Sequence, residues 1–113
     1  MAIQLFHGKN FTDMQDEQYC GKVLNFPSDF SHVATLDLSD DEMASVFPIT
    51  QSFDKGWWKN AKVTPHFEAA GWKAYNGDLE TRSTSVGDRV VLADGRMFRC
   101  AQFGWDFLGS VSR

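Results

Sequence analysis

The stretch Ser83-Thr84-Ser85-Val86-Gly87-Asp88-Arg89-Val90-Val91-Leu92-Ala93-Asp94-Gly95-Arg96-Met97-Phe98-Arg99-Cys100 decides the fold. Gly87-Asp88 reads as a turn. Arg89-Val90-Val91-Leu92 reads as one strand and Arg96-Met97-Phe98-Arg99-Cys100 as another. Asp94-Gly95 between them is the dipeptide that supplies the positive φ of a type I′ hairpin turn. With these two residues as the loop, Leu92 faces Met97 on one side of the hairpin and Val91 faces Phe98 on the other. Apolar pairs on both faces call for cover on both sides. A third segment, Ala101 to Leu108, is broken at Gly104. The last third of the chain is therefore predicted to be a β-meander of half-barrel type.

Upstream, residues 2–6 alternate as a short opening strand. Thr12-Asp13-Met14-Gln15 has the capping-box pattern, and Gly21 is the residue type that stops a helix, so a helix is predicted near 12–20. Val23-Leu24-Asn25-Phe26 is a brief extended piece ended by Pro27. His32 to Leu38 is a strand candidate. Ser39 and Glu42 form a second capping box, and Met43, Val46, Phe47 and Thr50 share one helical face. Pro48 lacks a backbone donor, so the helix ends near Phe47 or kinks there. Residues 53–73 follow neither period and read as an irregular segment with aromatic anchors. Asn76-Gly77-Asp78 is a turn. There is no repeat or linker. The expected architecture is a small single α+β domain, with short helices packed on an antiparallel sheet.

A chain of 113 residues suits one domain and needs neither disulfide nor metal to fold. Aromatics reach 14%, with ten Phe and four Trp, enough to leave some rings for a binding surface. The net charge of −4 argues against general binding to nucleic acid or anionic membranes. The N-terminus has no secretory pattern and no apolar run could span a bilayer, so a cytoplasmic location with reduced Cys20 and Cys100 is expected.

Candidate chemistry is thin. Ser83, Thr84, Ser85 and Asp88 could be read as a catalytic cluster, but short hydroxyls and Gly-Asp are what a chain uses to satisfy its own backbone where a turn enters a strand. Ser83, Ser85, Gly87, Asp88, Asp94, Gly95 and Gly104 are therefore read as structural. Cys20, Cys100, His7, His32 and His66 show no metal-ligand spacing, and no cofactor or metal is expected. Asp37, Asp40, Asp41 and Glu42 form an acidic helix start, with docking of a basic partner as the minority reading. The segment 55–73 holds Lys55, Lys59, Lys62 and Lys73 against Glu68, a local +3 that leaves −7 for the remainder of the −4 total. Trp57, Trp58, Phe67 and Trp72 are interleaved with these lysines. Rings among cations suit an acidic protein patch or single-stranded nucleic acid, so Lys55, Trp57, Trp58, Lys59, Trp72 and Lys73 are the candidate binding residues.

The box Arg82-Ser83-Thr84-Ser85-Val86-Gly87-Asp88-Arg89-Val90-Val91, with Asp94-Gly95 and Phe103-Gly104-Trp105, resembles the signature of small YodL-like proteins of bacteria, phages and plasmids. Phe47-Pro48-Ile49-Thr50-Gln51 and Trp57 match the upstream Phe-x-x-Thr-Asn/Gln pattern and following Trp of those proteins. Pro48 departs from their uninterrupted helix. The resemblance covers roughly residues 35–107 and implies a fold and a mobile-element setting, not a reaction. The function expected on these grounds is a non-enzymatic module that binds another protein, with an anti-defence or regulatory role. Nucleic-acid binding through 55–73, and a small-molecule pocket between helix and meander, are the alternatives.

Overall fold

Strand β1 (Ile3–Gly8) lies inside a six-stranded antiparallel sheet, with β2 (Phe30–Leu36) on one side and β6 (Arg89–Val91) on the other. The computed structural model describes residues 2–52 and 56–111. Beyond β2 comes the short edge strand β3 (Val63–Pro65). Beyond β6 come β7 (Arg96–Cys100) and β8 (Trp105–Ser110), which complete the predicted meander. The order is β3-β2-β1-β6-β7-β8, and the sheet stays open rather than closing into a barrel. A separate hairpin pairs β4 (Lys73–Tyr75) with β5 (Asp78–Glu80). The α+β class is as expected from the sequence.

The alternation of β1 puts Ile3, Leu5 and His7 on the covered face of the sheet. Ala34, Leu36 and Val90 share that face. Leu38, Val46, Trp57 and Trp72 close over it. Helix α1 (Phe11–Cys20) is capped by Asn10, whose side chain accepts from the Asp13 N–H at 3.1 Å. This replaces the expected box at Thr12, because Asn10 already stands in extended backbone with an amide oxygen in reach. Gly21 ends α1 at φ +71, as predicted. Of α1 only Met14 is buried, and a Cβ on Gly8 would sit 2.1 Å from its sulfur. Glu17 of α1 grips Arg89 of β6 through both carboxylate oxygens. Arg89 and Arg99 are direct cross-strand neighbours, so Glu17 also offsets a like-charge pair.

Glu42 accepts from the backbone and the hydroxyl of Ser39, at 3.1 and 3.0 Å, as the second capping box requires. The capped segment is a 3-10 helix (Asp40–Ser45) running into one α-turn, α2 (Val46–Ile49). Pro48 sits inside that first α-turn, where a backbone donor is not needed, so the helix passes it and stops at Ile49.

The β6–β7 turn differs from the two-residue loop expected. Val91 pairs with Met97 and Val90 with Phe98, one residue out of the predicted register. Gly95 N–H donates to Leu92 O at 3.0 Å and Leu92 N–H to Arg96 O at 2.9 Å, so Ala93, Asp94 and Gly95 form a three-residue loop. Only Gly95, at φ +93, has left-handed backbone there. The Asp94 carboxylate is used locally instead, accepting from Arg96 N–H at 3.0 Å and Arg96 Nε at 2.7 Å. The left-handed pair of a type I′ turn occurs in the β4–β5 hairpin, at Asn76 (φ +46) and Gly77 (φ +86). The slip turns Phe98 rather than Met97 toward the core side. Double-sided cover holds on β6, where Val90 and Val91 are both buried, and on Leu92 just after it, whereas Met97 and Phe98 of β7 are only half-buried.

A Cβ at Gly95 would lie 3.2 Å from Val111 O in addition to the positive φ, whereas at Gly104, also left-handed, it would meet open space. Gly95→Ala is expected to cost about 1–2 kcal/mol, and more than Gly104→Ala. Thermal melts of the two variants followed by circular dichroism check this order.

Candidate functional site

Two of the three tryptophans expected on a binding surface lie inside the protein. Trp57 is 3% exposed and Trp72 is 7% exposed, so both are core. Trp57 Nε1 donates to Arg82 O at 3.1 Å, and Trp72 Nε1 to Val33 O at 3.2 Å. Trp58 is half-buried and packs edge-on against Trp57 and Trp72, with centroids 5.9 and 5.3 Å away. The physical reason is the 3-10 turn at Trp57–Lys59, with Gly56 before it. A Cβ on Gly56 would lie 2.3 Å from the Trp58 ring, so glycine leaves room for that ring to fold back. Lys59 and Lys73 are exposed, on separate elements. Lys55 lies outside the described residues. The five described residues of this set do not converge on one surface.

The Ser83–Asp88 box forms a buried polar node at the end of β1. Asp88 is wholly buried. Its carboxylate accepts from Gly8 N–H at 2.9 Å, from Ser85 N–H at 2.7 Å, and from both Arg82 terminal nitrogens at 2.6 and 2.7 Å. Thr84 Oγ1 lies 2.7 Å from Thr50 Oγ1 and 3.1 Å from His7 Nε2. Gln51 Nε2 donates to Thr84 O at 2.9 Å, and Ser52 N–H to Ser83 Oγ at 2.9 Å. The Phe47-to-Gln51 motif, Trp57 and the Ser83–Asp88 box thus meet in space. Gly87, at φ +100, faces Met14 of α1. The Asp88 carboxylate and the Ser83 hydroxyl accept from backbone N–H groups, whereas the Thr84 hydroxyl meets the side chains of Thr50 and His7.

Burial of His7 pushes its imidazole down to about 4, with Arg82 adding to the effect and the nearby Asp88 opposing it. Its Nδ1 has no protein partner among the described residues. Such an orphan costs about 1–3 kcal/mol. Burial, helped by the charge of Asp88, raises the Cys100 thiol to about 11, which removes thiolate character near neutrality. Cys20 is exposed, and both cysteines are free. Among the described residues no group of three or more His, Cys, Asp or Glu side chains is placed to hold a metal, and no helix is long and apolar enough to cross a membrane.

Two features remain open to partners. The first is a cleft of about 620 Å³ beside the polar node. His7, Gly8 and Lys9 at the end of β1, Phe11 of α1, Ala70 and Gly71, and Lys73, Glu80 and Arg82 around the β4–β5 hairpin line it. It lies away from the helix–meander junctions, where the pockets beside α1 and α2 are only about 200 and 270 Å³. Of the candidate residues from the sequence, Lys73 alone belongs to the larger cleft. Lys9 and Phe11 carry no local motif that would have marked them, and Arg82, the first residue of the serine-rich box, is not among the binding residues read from the sequence.

The second feature is the β8 edge. β8 pairs with β7, and no strand lies on its other side among the described residues. Phe103 is 91% exposed and Phe107 59%, with Leu108 also exposed. Trp105 of β8, Phe47 and Pro48 of α2, and Gly104 flank a groove of about 270 Å³. Asp41 and Glu42, both exposed, stand on the 3-10 helix that leads into α2. At the opposite edge β3 has only three residues and ends in Pro65, which blunts it. The sequence did show an excess of rings; within 55–73 Phe67 is the exposed one among the described residues, while Phe103 and Phe107 form the exposed pair at β8.

Comparison with protein-family models, curated proteins and solved structures returns no match.

His7 gives the fold a pH dependence with a definite sign. Its folded value of about 4 lies below the ordinary 6.5, so the unfolded chain takes the proton first as pH falls. Stability is full above pH 6.5 and is lost down to about pH 4, by about 3 kcal/mol from this group. Urea unfolding across that window is expected to show this slope, and His7→Gln to flatten it.

Proposed function

We propose that the chain is a non-enzymatic protein-binding module that takes an extended segment of another protein along the β8 edge. The observation that carries this reading is an open six-residue strand edge next to exposed Phe103, Phe107 and Leu108. An added strand satisfies the outward backbone groups, and alternate side chains of the partner give specificity. Leu108 is bulged out of the β7 pairing, since Met97 faces Gly109 and Phe98 faces Phe107. The favoured contact is therefore the stretch from Trp105 to Phe107. Asp41 and Glu42, with the −4 net charge, suit a partner segment that mixes apolar residues with Lys or Arg.

The resemblance to YodL-like proteins supports an accessory role on a phage, plasmid or integron-type element, and from that setting an anti-defence or regulatory task in the cytoplasm. The nucleic-acid reading rests on rings among lysines; the burial of Trp57 and Trp72 counts against it and leaves it Trp58 and Phe67.

Short peptides selected by display against the folded protein test the docking edge. The enriched peptides are expected to alternate apolar residues, to carry Lys or Arg, and to shift the amides of 105–110 in NMR spectra. Phe107→Asp should weaken them about tenfold while the circular dichroism stays native, and Lys59→Ala should leave them unchanged. Peptides that bind the Phe107→Asp protein as tightly, or a β8 edge closed by a second copy of this chain in sedimentation, would overturn the proposal.

A further inference from the structure

We infer that the cleft between β1, the start of α1 and the β4–β5 hairpin is a separate site for a small organic anion with a planar ring. Its volume of about 620 Å³ falls among those of small-molecule sites. The walls are kept low by Gly8, Ala70 and Gly71. Gly71 is packed so that a Cβ would lie 2.9 Å from Val33 Cγ1.

The charge of the lining selects the ligand. Arg82 is compensated by Asp88 beneath it. Lys9 and Lys73 stand on two different walls, and among the described residues neither meets a carboxylate within 4.0 Å. Glu80, the cross-strand neighbour of Lys73, is the carboxylate of the lining. The free charge is therefore positive in a chain whose total is −4. Amines on two walls hold one anionic group between them better than any neutral polar group.

The preference for a ring comes from Phe11 and Arg82. The Arg82 guanidinium lies 4.5 Å from the Phe11 centroid, and four bonds to Asp88, Ser83 O and Gly8 O hold it in place. Phe11 is thus a fixed ring at the cleft wall, and it is more than half exposed. A planar ligand stacks on such a surface at little entropic cost. Phosphate and carboxylate both meet these requirements when joined to an aromatic or heteroaromatic ring.

The test is titration of ¹⁵N-labelled protein with a nucleoside 5′-monophosphate, an indole carboxylate, the neutral nucleoside and inorganic phosphate. One or both ring-bearing anions are expected to shift the amides of Lys9, Gly71, Lys73 and Thr81 at millimolar concentration. The neutral nucleoside and phosphate alone should bind at least about tenfold more weakly. Lys9→Glu with Lys73→Glu should abolish the shifts, and both lysines are exposed, so folding should be unaffected. Phe107→Asp should leave them intact, which separates this site from the β8 edge. Shifts that persist in the double lysine variant, phosphate binding as tightly as the ring-bearing anions, or no shift with either ring-bearing anion would overturn the inference.

Discussion

The carboxylate of Asp88 is the point on which the rest of the structure depends. A buried carboxylate is tolerated only when donors replace the water it has lost, and here Arg82 and two backbone N–H groups do so. Those donors come from three places: the end of β1, the segment before β6, and the turn at Ser85. One side chain therefore joins the central strand to the start of the meander. Arg82, held in turn, fixes Phe11 and the floor of the cleft. Removing Arg82 would strand the wholly buried Asp88 charge, a loss of about 3–5 kcal/mol.

The node also explains why the serine-rich box is so conspicuous without being reactive. Asp88, His7 and the hydroxyls of Thr50 and Thr84 lie close together, as they would in a catalytic cluster. They differ from one in electrostatics and access. His7 stays neutral because burial outweighs the neighbouring carboxylate, and Thr84 has no exposure to substrate. What the molecule does present to solvent lies on either side of this node, as a cleft with surplus positive charge and a bare apolar strand edge.

Much of the fold was legible because its signals are local. The alternation in β1, the strands of the meander, Gly21 as a helix stop and the Ser39–Glu42 box all act within a few residues. The register of β6 on β7 was not legible, because Asp94 had two uses. Its backbone could have entered a left-handed turn, but its side chain bonds Arg96 and makes a longer loop. The tryptophans were misplaced because adjacent side chains diverge by about 120° on a 3-10 turn, yet the bare backbone of Gly56 leaves room for the Trp58 ring to fold back against Trp57 and Trp72. The cleft was invisible for another reason. His7 and Lys9 lie more than sixty residues from Lys73 and Arg82, and no spacing rule connects such distant side chains.

Helix α1 is secured differently from everything else. Of its ten residues only Met14 is buried, and beyond that thioether it is held chiefly by Glu17. Releasing it would expose little apolar surface and would return two ions to water, so the lost attraction is largely repaid by hydration. The helix is thus a part of the molecule that opens at low cost, as a unit that can leave while the sheet stays intact. Phe11 leaves with it. Occupancy of the cleft and attachment of the helix are therefore one thermodynamic equilibrium, and a ligand stacked on Phe11 tightens a helix that little else secures.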